Sequence, residues 1–266
     1  MKNSTRFALL AGVLATSASC ALADTITLGS FGNTSGYNPG SIVVGNSAMS
    51  YVGYETYATV AGIPASPGPL EGQGGSGFTA AASSTSYDLN PETPVWGAAV
   101  ANSSWVGIST TAGPQNTSDP AYGYYEFSTS FTATGSHSGT LNIMADDTAE
   151  VLLTNSAGTV TLVPFGGMGG DGHCAASGIN CLTVDSIPFS ALSGSNTLIF
   201  VVEQAGTGVN DPSGLDFSGS LISSAVPEPA SLLLLGTGLA GIGLLLLRRR
   251  RTALVCPAEA DGTQDQ

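Results

Sequence analysis

Hydrophobic and polar residues alternate along several short stretches in the middle of the chain. In the clearest stretch, 125–131, the odd positions hold Tyr, Phe or Thr and the even positions hold Glu or Ser. Leu141, Ile143 and Ala145 show the same spacing. Because the side chains of an extended strand point alternately to its two faces, this period of two predicts β-strands with one buried face. Short apolar runs, suited to buried strands, lie at 42–44, 151–153, 159–163 and 198–202.

Turn-forming residues separate these stretches. Gly, Asn, Ser, Asp and Pro cluster at 155–158, 193–196 and 210–214, where they favour tight turns between strands. No segment of the middle keeps the 3.6-residue period of a helix. About ten short strands at this spacing predict one all-β domain over residues 24–225, an antiparallel β-sandwich of the jelly-roll-like kind.

The first 23 residues have the layout of a secretory signal peptide. Lys2 and Arg6 give a positive start, and an apolar run follows at 7–15. Cys20 offers a second interpretation, lipidation, but the Ser-Ala-Ser before it lacks the Leu that a lipobox carries three positions upstream. We therefore predict cleavage by signal peptidase at an A-x-A site. The residues of this site are Ala21, Ala23 and Asp24.

The C-terminal region has the features of a membrane-spanning segment. Residues 231–247 form an uncharged, Leu-rich run, which as a helix would extend roughly 26 Å at 1.5 Å per residue. Four consecutive Arg follow at 248–251, and the positive-inside rule places them in the cytoplasm. We therefore predict one transmembrane helix, with the exported middle on the far side of the membrane and residues 252–266 as a short cytoplasmic tail.

A Pro-rich motif stands immediately before this helix. Its two prolines fix φ and restrain the preceding residues to extended conformations, which suits a protease substrate. The motif, the Leu-rich helix and the Arg cluster at residues 226–251 together resemble the PEP-CTERM sorting signal of exopolysaccharide-making Gram-negative bacteria. The residues that carry the resemblance are Val226, Pro227, Glu228, Pro229, Arg248, Arg249, Arg250 and Arg251.

The resemblance implies processing by exosortase, a membrane transpeptidase with a Cys nucleophile. Exosortase would cut near Pro227–Pro229 and release the domain or transfer it to the cell surface. Residues 95–222 also resemble the β-sandwich of many PEP-CTERM proteins, which is similar in outline to galactose-binding-like modules. Residues 24–94 match that pattern less clearly and would supply further strands of the same sandwich.

The charged residues are distributed unevenly. The chain has 6 Lys and Arg against 19 Asp and Glu, a formal net charge of −13. No Lys or Arg lies between Asp24 and Ala225. A segment without cations cannot neutralise phosphates, so we exclude nucleic acid as its partner and disfavour its binding to an anionic membrane surface.

The densest acidic group consists of Asp146, Asp147 and Glu150. Carboxylates of this kind are candidate ligands for Ca²⁺, although the sequence has no D-x-[DN]-x-[DN]-G loop. We favour the alternative, a solvated turn between two strands in which one Asp caps backbone amides. We therefore assign no metal ligand, and Ca²⁺ is the one cofactor that the group suggests.

Cys174 and Cys181 follow a Gly-rich stretch at 166–173 that we interpret as a surface loop, since it lacks the Lys and Ser/Thr of a phosphate loop. They are the only cysteines left once both end signals and the tail are removed. In an oxidising compartment we predict a disulfide between them. The alternative, His173 with Cys174 as a nucleophilic pair, is disfavoured because adjacent side chains on a strand point apart.

The remaining candidates give no catalytic assignment. We interpret His137 as a loop-tip residue, and Trp96 and Trp105 either as buried sandwich residues or as platforms for sugar rings. The expected function is that of an exported, non-enzymatic protein. Its precursor would be anchored in the inner membrane, and the mature protein would lie at the cell surface or in the exopolysaccharide matrix. Alternatives are a carbohydrate-binding module or, less favoured, an exported hydrolase.

Overall fold

The computed structural model describes eight segments of the chain. Residues 23–224 belong to one compact unit, and a helix at 236–245 is described by itself. The described residues are 23–30, 49–57, 78–89, 94–114, 120–166, 174–205, 211–223 and 236–245.

The compact unit is built from β-strands, as the alternating pattern predicts. Its twelve strands are β1 (Thr25–Gly29), β2 (Ser50–Thr56), β3 (Thr79–Ala80), β4 (Tyr87–Leu89), β5 (Trp105–Gly107), β6 (Gly123–Ala133), β7 (His137–Asp146), β8 (Thr148–Asn155), β9 (Gly158–Val163), β10 (Asp185–Ala191), β11 (Gly194–Gln204) and β12 (Gly214–Ser223).

The strands form two six-stranded sheets whose pairings are all antiparallel. The first sheet has the order β10-β7-β12-β5-β4, with β1 also paired to β12, and the second has the order β3-β2-β6-β11-β8-β9. Strands from residues 24–94 therefore join both sheets. The prediction of an all-β sandwich is confirmed.

The core lies between the two sheets. Phe127 of β6 and Phe200 of β11 lie opposite each other in the second sheet, and both are buried with Leu141 and Ile143 of β7. The ring of Phe200 stacks on that of Phe217 in β12, with ring centroids 4.4 Å apart. Residues at the alternating apolar positions thus meet across the interface between the sheets, where burial of apolar area stabilises the fold.

The apolar run at 159–163 does not form the buried strand that we predict. It lies in β9, at the edge of the second sheet, and four of the six residues of this strand are exposed. Val160 is 52% exposed. β9 pairs only with β8 among the described strands, so one of its sides lacks a neighbouring strand. The run at 42–44 lies outside the described residues.

The first and last strands of the unit pair with each other. Thr25 lies opposite Ile222, and Gly29 lies opposite Ser218. Beyond the strand, the amide of Asp24 donates to Oγ of Ser223 at 2.9 Å, and the amide of Ser223 donates to the carbonyl of Asp24 at 2.9 Å. The N-terminal and C-terminal ends of the sandwich chain segment therefore lie side by side.

The helix at 236–245 falls within the predicted transmembrane run of 231–247. Its large hydrophobic side chains, Leu239, Ile242, Leu244 and Leu245, are exposed. Among the described residues, no helix has both the length and the apolar character needed to span a membrane.

Candidate cation site at Asp146 and Asp147

The acidic pair lies at the crossing between the two sheets. β7 of the first sheet ends at Asp146 and β8 of the second sheet begins at Thr148, so Asp147 alone connects them. The peptide bond between the two Asp is cis, and both residues have 0% exposure. The prediction of a solvated turn is wrong, because this connection passes between the sheets instead of turning back at the tip of a hairpin.

Each carboxyl group of the pair receives one hydrogen bond from outside the pair. Nε1 of Trp96 donates to Oδ2 of Asp146 at 2.6 Å, and the amide of Ala205 donates to Oδ2 of Asp147 at 2.6 Å. The two carboxyl groups also interact with each other through a side-chain hydrogen bond. Within the part of the chain that the structure describes, Oδ1 of each Asp is buried and has no donor outside the pair. A buried carboxyl group with so few donors is costly, so two of them at one place need an explanation.

The surroundings add negative charge to the pair. Burial raises the pKa of Asp146 well above its usual range, and the neighbouring Asp147 raises it further. Burial also raises the pKa of Asp147, and the charges of Asp211 and Glu203 act in the same direction. Since no Lys or Arg occurs between Asp24 and Ala225, the pair must be neutralised by protons or by a cation from solution.

The pair offers the kind of oxygen ligand that a hard cation prefers. Ca²⁺ is bound by six to eight oxygen ligands, and carboxylates supply several of them. Oδ1 of Asp146 and Oδ1 of Asp147 are the available oxygens of the pair, and Asp211 is close enough to influence the pKa of both. Glu150 belongs elsewhere, because it lies opposite Val201 within the second sheet and acts on the pKa of Tyr124.

The predicted disulfide forms in the structure and packs against this pair. Cys174 and Cys181 are joined with their Cα atoms 5.5 Å apart. The amide of Ala175 donates to the carbonyl of Asp147 at 3.0 Å, and the amide of Ala145 donates to the carbonyl of Asn180 at 3.1 Å. The loop closed by the disulfide is thus hydrogen-bonded to the chain on both sides of Asp146.

Trp96 and Trp105 are both fully buried. Their rings stack with centroids 4.2 Å apart and an angle of 19° between the planes. Nε1 of Trp105 donates to the carbonyl of Gly97 at 3.1 Å, while Nε1 of Trp96 is the donor to Asp146. Of the two interpretations, burial in the sandwich is confirmed, and neither ring is available to a sugar in this structure.

His137 is not at a loop tip. It is the first residue of β7 and is 1% exposed. Its Nε2 lies 3.7 Å from Oδ2 of Asp24, and its Nδ1 lies 3.1 Å from the carbonyl oxygen of Gly135. The tip prediction fails because β7 begins inside the Gly-Ser-His-Ser-Gly stretch, so that the turn precedes His137. His173 and the Gly-rich loop beyond Gly166 lie outside the described residues.

Sequence reasoning missed Trp96 and Ala205 as partners of the pair. Trp96 is 50 residues before Asp146, and Ala205 is 58 residues after Asp147. Neither neighbour follows from local spacing. The one available signal is the absence of Lys and Arg from the domain, which leaves any buried carboxylate without a protein cation.

The C-terminal region matches a known sorting motif. Residues 225–251 match the PEP-CTERM protein-sorting motif. The chain carries a PEP-CTERM sorting signal. The match includes every residue on which the resemblance depends, from Val226 to Arg251, and it is the signal of an exported protein directed to the cell envelope.

Most residues of the two processing sites lie outside the described part of the chain. These are Ala21, Val226, Pro227, Glu228, Pro229, Arg248, Arg249, Arg250 and Arg251. Ala23 and Asp24 are described, and both are exposed. Cleavage at the predicted signal-peptide site therefore stays a prediction, as does the position of the exosortase cut.

Three solved structures resemble parts of the chain, with TM-scores of 0.25 or less. A β-glucosidase from Kluyveromyces marxianus is 7% identical with a TM-score of 0.25, over 42% of this chain and 12% of its own. A GH26-CBM35 β-(1,4)-mannanase from Podospora anserina is 18% identical with a TM-score of 0.23, over 42% and 25%. An isomalto-dextranase from Arthrobacter globiformis T6, complexed with panose, is 17% identical with a TM-score of 0.23, over 52% and 20%.

The chain thus spans a quarter or less of the length of these three structures. Similarities at this level say nothing about its function. No curated protein matches the sequence.

Proposed function

We propose that the chain is an exported protein that exosortase processes at its sorting signal and that has no catalytic activity of its own. The PEP-CTERM motif at 225–251 carries this proposal. Signal peptidase would remove residues 1–23, and the apolar run at 231–247 would hold the precursor in the inner membrane with the Arg cluster inside. Exosortase would then pass the sandwich to the cell surface or to the exopolysaccharide of a Gram-negative bacterium.

The sorting step is tested with two epitope tags, one placed after Asp24 and one after Gln266. In a pulse-chase experiment we expect the tags to separate, and mass spectrometry should find the new C-terminus near Pro227–Pro229. The same precursor in cells without exosortase should keep both tags. Persistence of both tags on one chain in exosortase-active cells would contradict the proposal.

Two substitution sets separate charge from side-chain identity in the signal. Replacing the four Arg at 248–251 by Gln should block processing, because the cytoplasmic anchor is lost. Replacing them by Lys keeps the charge and is the matched control. Equal processing of the Gln and Lys variants would show that the Arg cluster plays no part.

The absence of catalysis is tested separately. The candidate nucleophile Cys174 is held in a disulfide, and His137 is buried with its Nε2 3.7 Å from Oδ2 of Asp24, which supports a non-enzymatic role. We expect the purified chain to leave a panel of glycosides, esters and peptides unhydrolysed. Turnover of any of them that a single substitution abolishes would favour the hydrolase alternative.

A second candidate function is the binding of Ca²⁺ by the sandwich at Asp146 and Asp147. The Oδ1 atoms of the two buried carboxyl groups, which have no donor outside the pair among the described residues, favour it. When bound, Ca²⁺ would supply the positive charge that this segment lacks. The two Asp would hold the ion, Trp96 and Ala205 would orient their carboxylates, and solvent would complete the ligand set.

Calorimetry tests this second function. We expect the chain to bind one Ca²⁺ and its thermal midpoint to rise with Ca²⁺ concentration, as for any ligand of the native state. Asp147→Asn should abolish both effects. Asp185→Asn, an Asp at the start of β10, is the matched control and should change neither. A wild-type chain whose midpoint does not respond to millimolar Ca²⁺ would refute the site.

A further inference from the structure

The disulfide lies directly against the carboxylate of Asp146. One carboxylate oxygen of Asp146 and the two Sγ atoms of Cys174 and Cys181 all lie within 4.8 Å of one another. Asp146 and Cys181 are fully buried, and Cys174 is half-buried. A buried carboxyl group thus lies next to two potential sulfur ligands.

We propose that reduction of the Cys174–Cys181 disulfide creates a binding site for a thiophilic divalent cation of the Zn²⁺ class, held by the two sulfurs and Asp146. A dithiol reductant supplies two electrons and two protons, the S–S bond breaks, and two thiols form. Zn²⁺ then displaces one proton from each thiol, so that two thiolates and one carboxylate bind it. The fourth position goes to water, as in zinc sites with three protein ligands.

The spacing suits this ligand set. Zn–S bonds are about 2.3 Å and Zn–O bonds about 2.0–2.2 Å, so ligand atoms around a tetrahedral zinc lie roughly 3.3–3.8 Å apart. In the structure the three ligand atoms lie within 4.8 Å of one another, so shifts of about 1 Å would bring them to this spacing. After reduction, the sulfurs only need to separate by rotation of their side chains, because the Cα atoms stand 5.5 Å apart.

Hydrogen bonds independent of the disulfide hold both cysteines in place. The amide of Gly97 donates to the carbonyl of Cys181 at 2.8 Å. Next to Cys174, the amide of Ala175 donates to the carbonyl of Asp147. Oδ1 of Asn180 accepts from the amides of Leu182 and Thr183, each at 2.9 Å. The loop therefore keeps its backbone anchors when the S–S bond is cut.

The oxidation state would select the metal. With the disulfide intact, only oxygen ligands are available, which suits Ca²⁺. With the thiols free, two soft ligands join Asp146 and favour Zn²⁺ over Ca²⁺. This competition for Asp146 rests on the proposed calcium site, but the thiol site itself does not.

The test uses the full chain with Cys20→Ser and Cys256→Ser, so that the two remaining cysteines form the pair. Co²⁺ is titrated into reduced and oxidised protein as a spectroscopic substitute for Zn²⁺. We expect thiolate-to-cobalt absorption at one equivalent in the reduced protein alone, and its loss when Zn²⁺ is added. Asp146→Asn should weaken Co²⁺ binding at least tenfold, and Asp185→Asn should leave it unchanged.

Two further variants test the carboxylate and thiolate ligands separately. Asp146→Glu retains a carboxylate and should preserve part of the affinity, and Cys174→Ser should abolish the absorption. The proposal is overturned by a reduced chain that shows no cobalt–thiolate absorption, or by equal affinities for wild type and Asp146→Asn. It is also overturned if the reduced chain loses its β-sheet circular dichroism and Zn²⁺ does not restore it. Failure of the oxidised protein to bind Ca²⁺ would instead refute the calcium site alone.

Discussion

Asp146 and Asp216 lie on adjacent strands of the same sheet, β7 and β12, and both have 0% exposure. They differ in their hydrogen bonds. Asp216 accepts from Oγ of Ser103 at 2.5 Å, from the amide of Val100 at 2.7 Å and from Oγ of Ser30 at 3.2 Å. Asp146 accepts from Trp96, and apart from its neighbour Asp147 it has no further side-chain or amide donor among the described residues.

This difference in hydrogen bonding leads us to infer different roles for the two buried carboxyl groups. The three donors at Asp216 connect β12 to the segments around residues 30 and 100, which is a structural role. The pair at Asp146 and Asp147 receives only one outside donor for each carboxyl group, which is the observation behind the proposed cation site. Burial alone does not distinguish the two, since it raises the pKa of both Asp146 and Asp216.

The largest effect is expected at Asp216. Asp216→Ala removes the acceptor of the Val100 amide and one of the two acceptors of the Ser30 and Ser103 hydroxyls, so we predict a loss of about 3 kcal/mol in the free energy of unfolding. Urea denaturation at pH 7 measures it. Ser103→Ala removes one donor only and should cost about 1 kcal/mol. A loss below 1 kcal/mol for Asp216→Ala would show that its hydrogen bonds are not structural.

The pH dependence sharpens the comparison. Burial raises the pKa of Asp88 and of Asp216 to about 6, above the value near 4 of an unfolded chain. The folded state then binds more protons, so without divalent cations stability falls as the pH rises through this range. We expect the urea midpoint to be higher at pH 5 than at pH 8 in EDTA.

Adding Ca²⁺ should distinguish which carboxyl groups cause the fall of stability with rising pH. The pKa values of Asp146 and Asp147 are raised, so without a cation this pair also favours the protonated form, and stability continues to fall above neutral pH. Saturating Ca²⁺ holds the pair ionised and should flatten that part of the curve, leaving the part due to Asp88 and Asp216. Identical curves in Ca²⁺ and EDTA would show that no cation binds the pair.

The smallest effect is expected for Asp146→Asn in EDTA. The amide keeps the volume of the side chain and an oxygen for Trp96, and it removes a charge beside Asp147. We predict a change within about 1 kcal/mol in the free energy of unfolding. The same variant should lose all stabilisation by Ca²⁺. A loss comparable to that of Asp216→Ala would place Asp146 in the structural class.

The sequence pattern predicts the sandwich because the period of two depends only on neighbouring residues. Leu141, Ile143 and Ala145 all reach the core at the positions that alternation assigns to them. The pattern fails at residues 159–163, because burial of an apolar run also depends on its place in the sheet. β9 lies at an edge, and strand order comes from long-range pairing that hydropathy does not encode.

The candidate site is less predictable for a related reason. Sequence identifies Asp146 and Asp147 as an acidic pair, and the cysteine count identifies the disulfide. It does not show that the pair lies at a crossing between sheets, nor that Trp96 and Ala205 face it. These facts depend on contacts across 50 or more residues, and a turn at a hairpin tip has the same local sequence as a turn between sheets.

The pairing of β1 with β12 has a mechanical consequence. Asp24 and Ser223 face each other at one end of an antiparallel pair, and each is the residue where the chain leaves the sandwich toward one of its processing sites. Opposed forces on these two points would load the hydrogen bonds of the pair one after another, beginning at Asp24, instead of all together. Tension applied at Asp24 and Ser223 would therefore separate β1 from β12 one hydrogen bond at a time, at low force. The other strands of the sandwich would carry no load until β1 has separated.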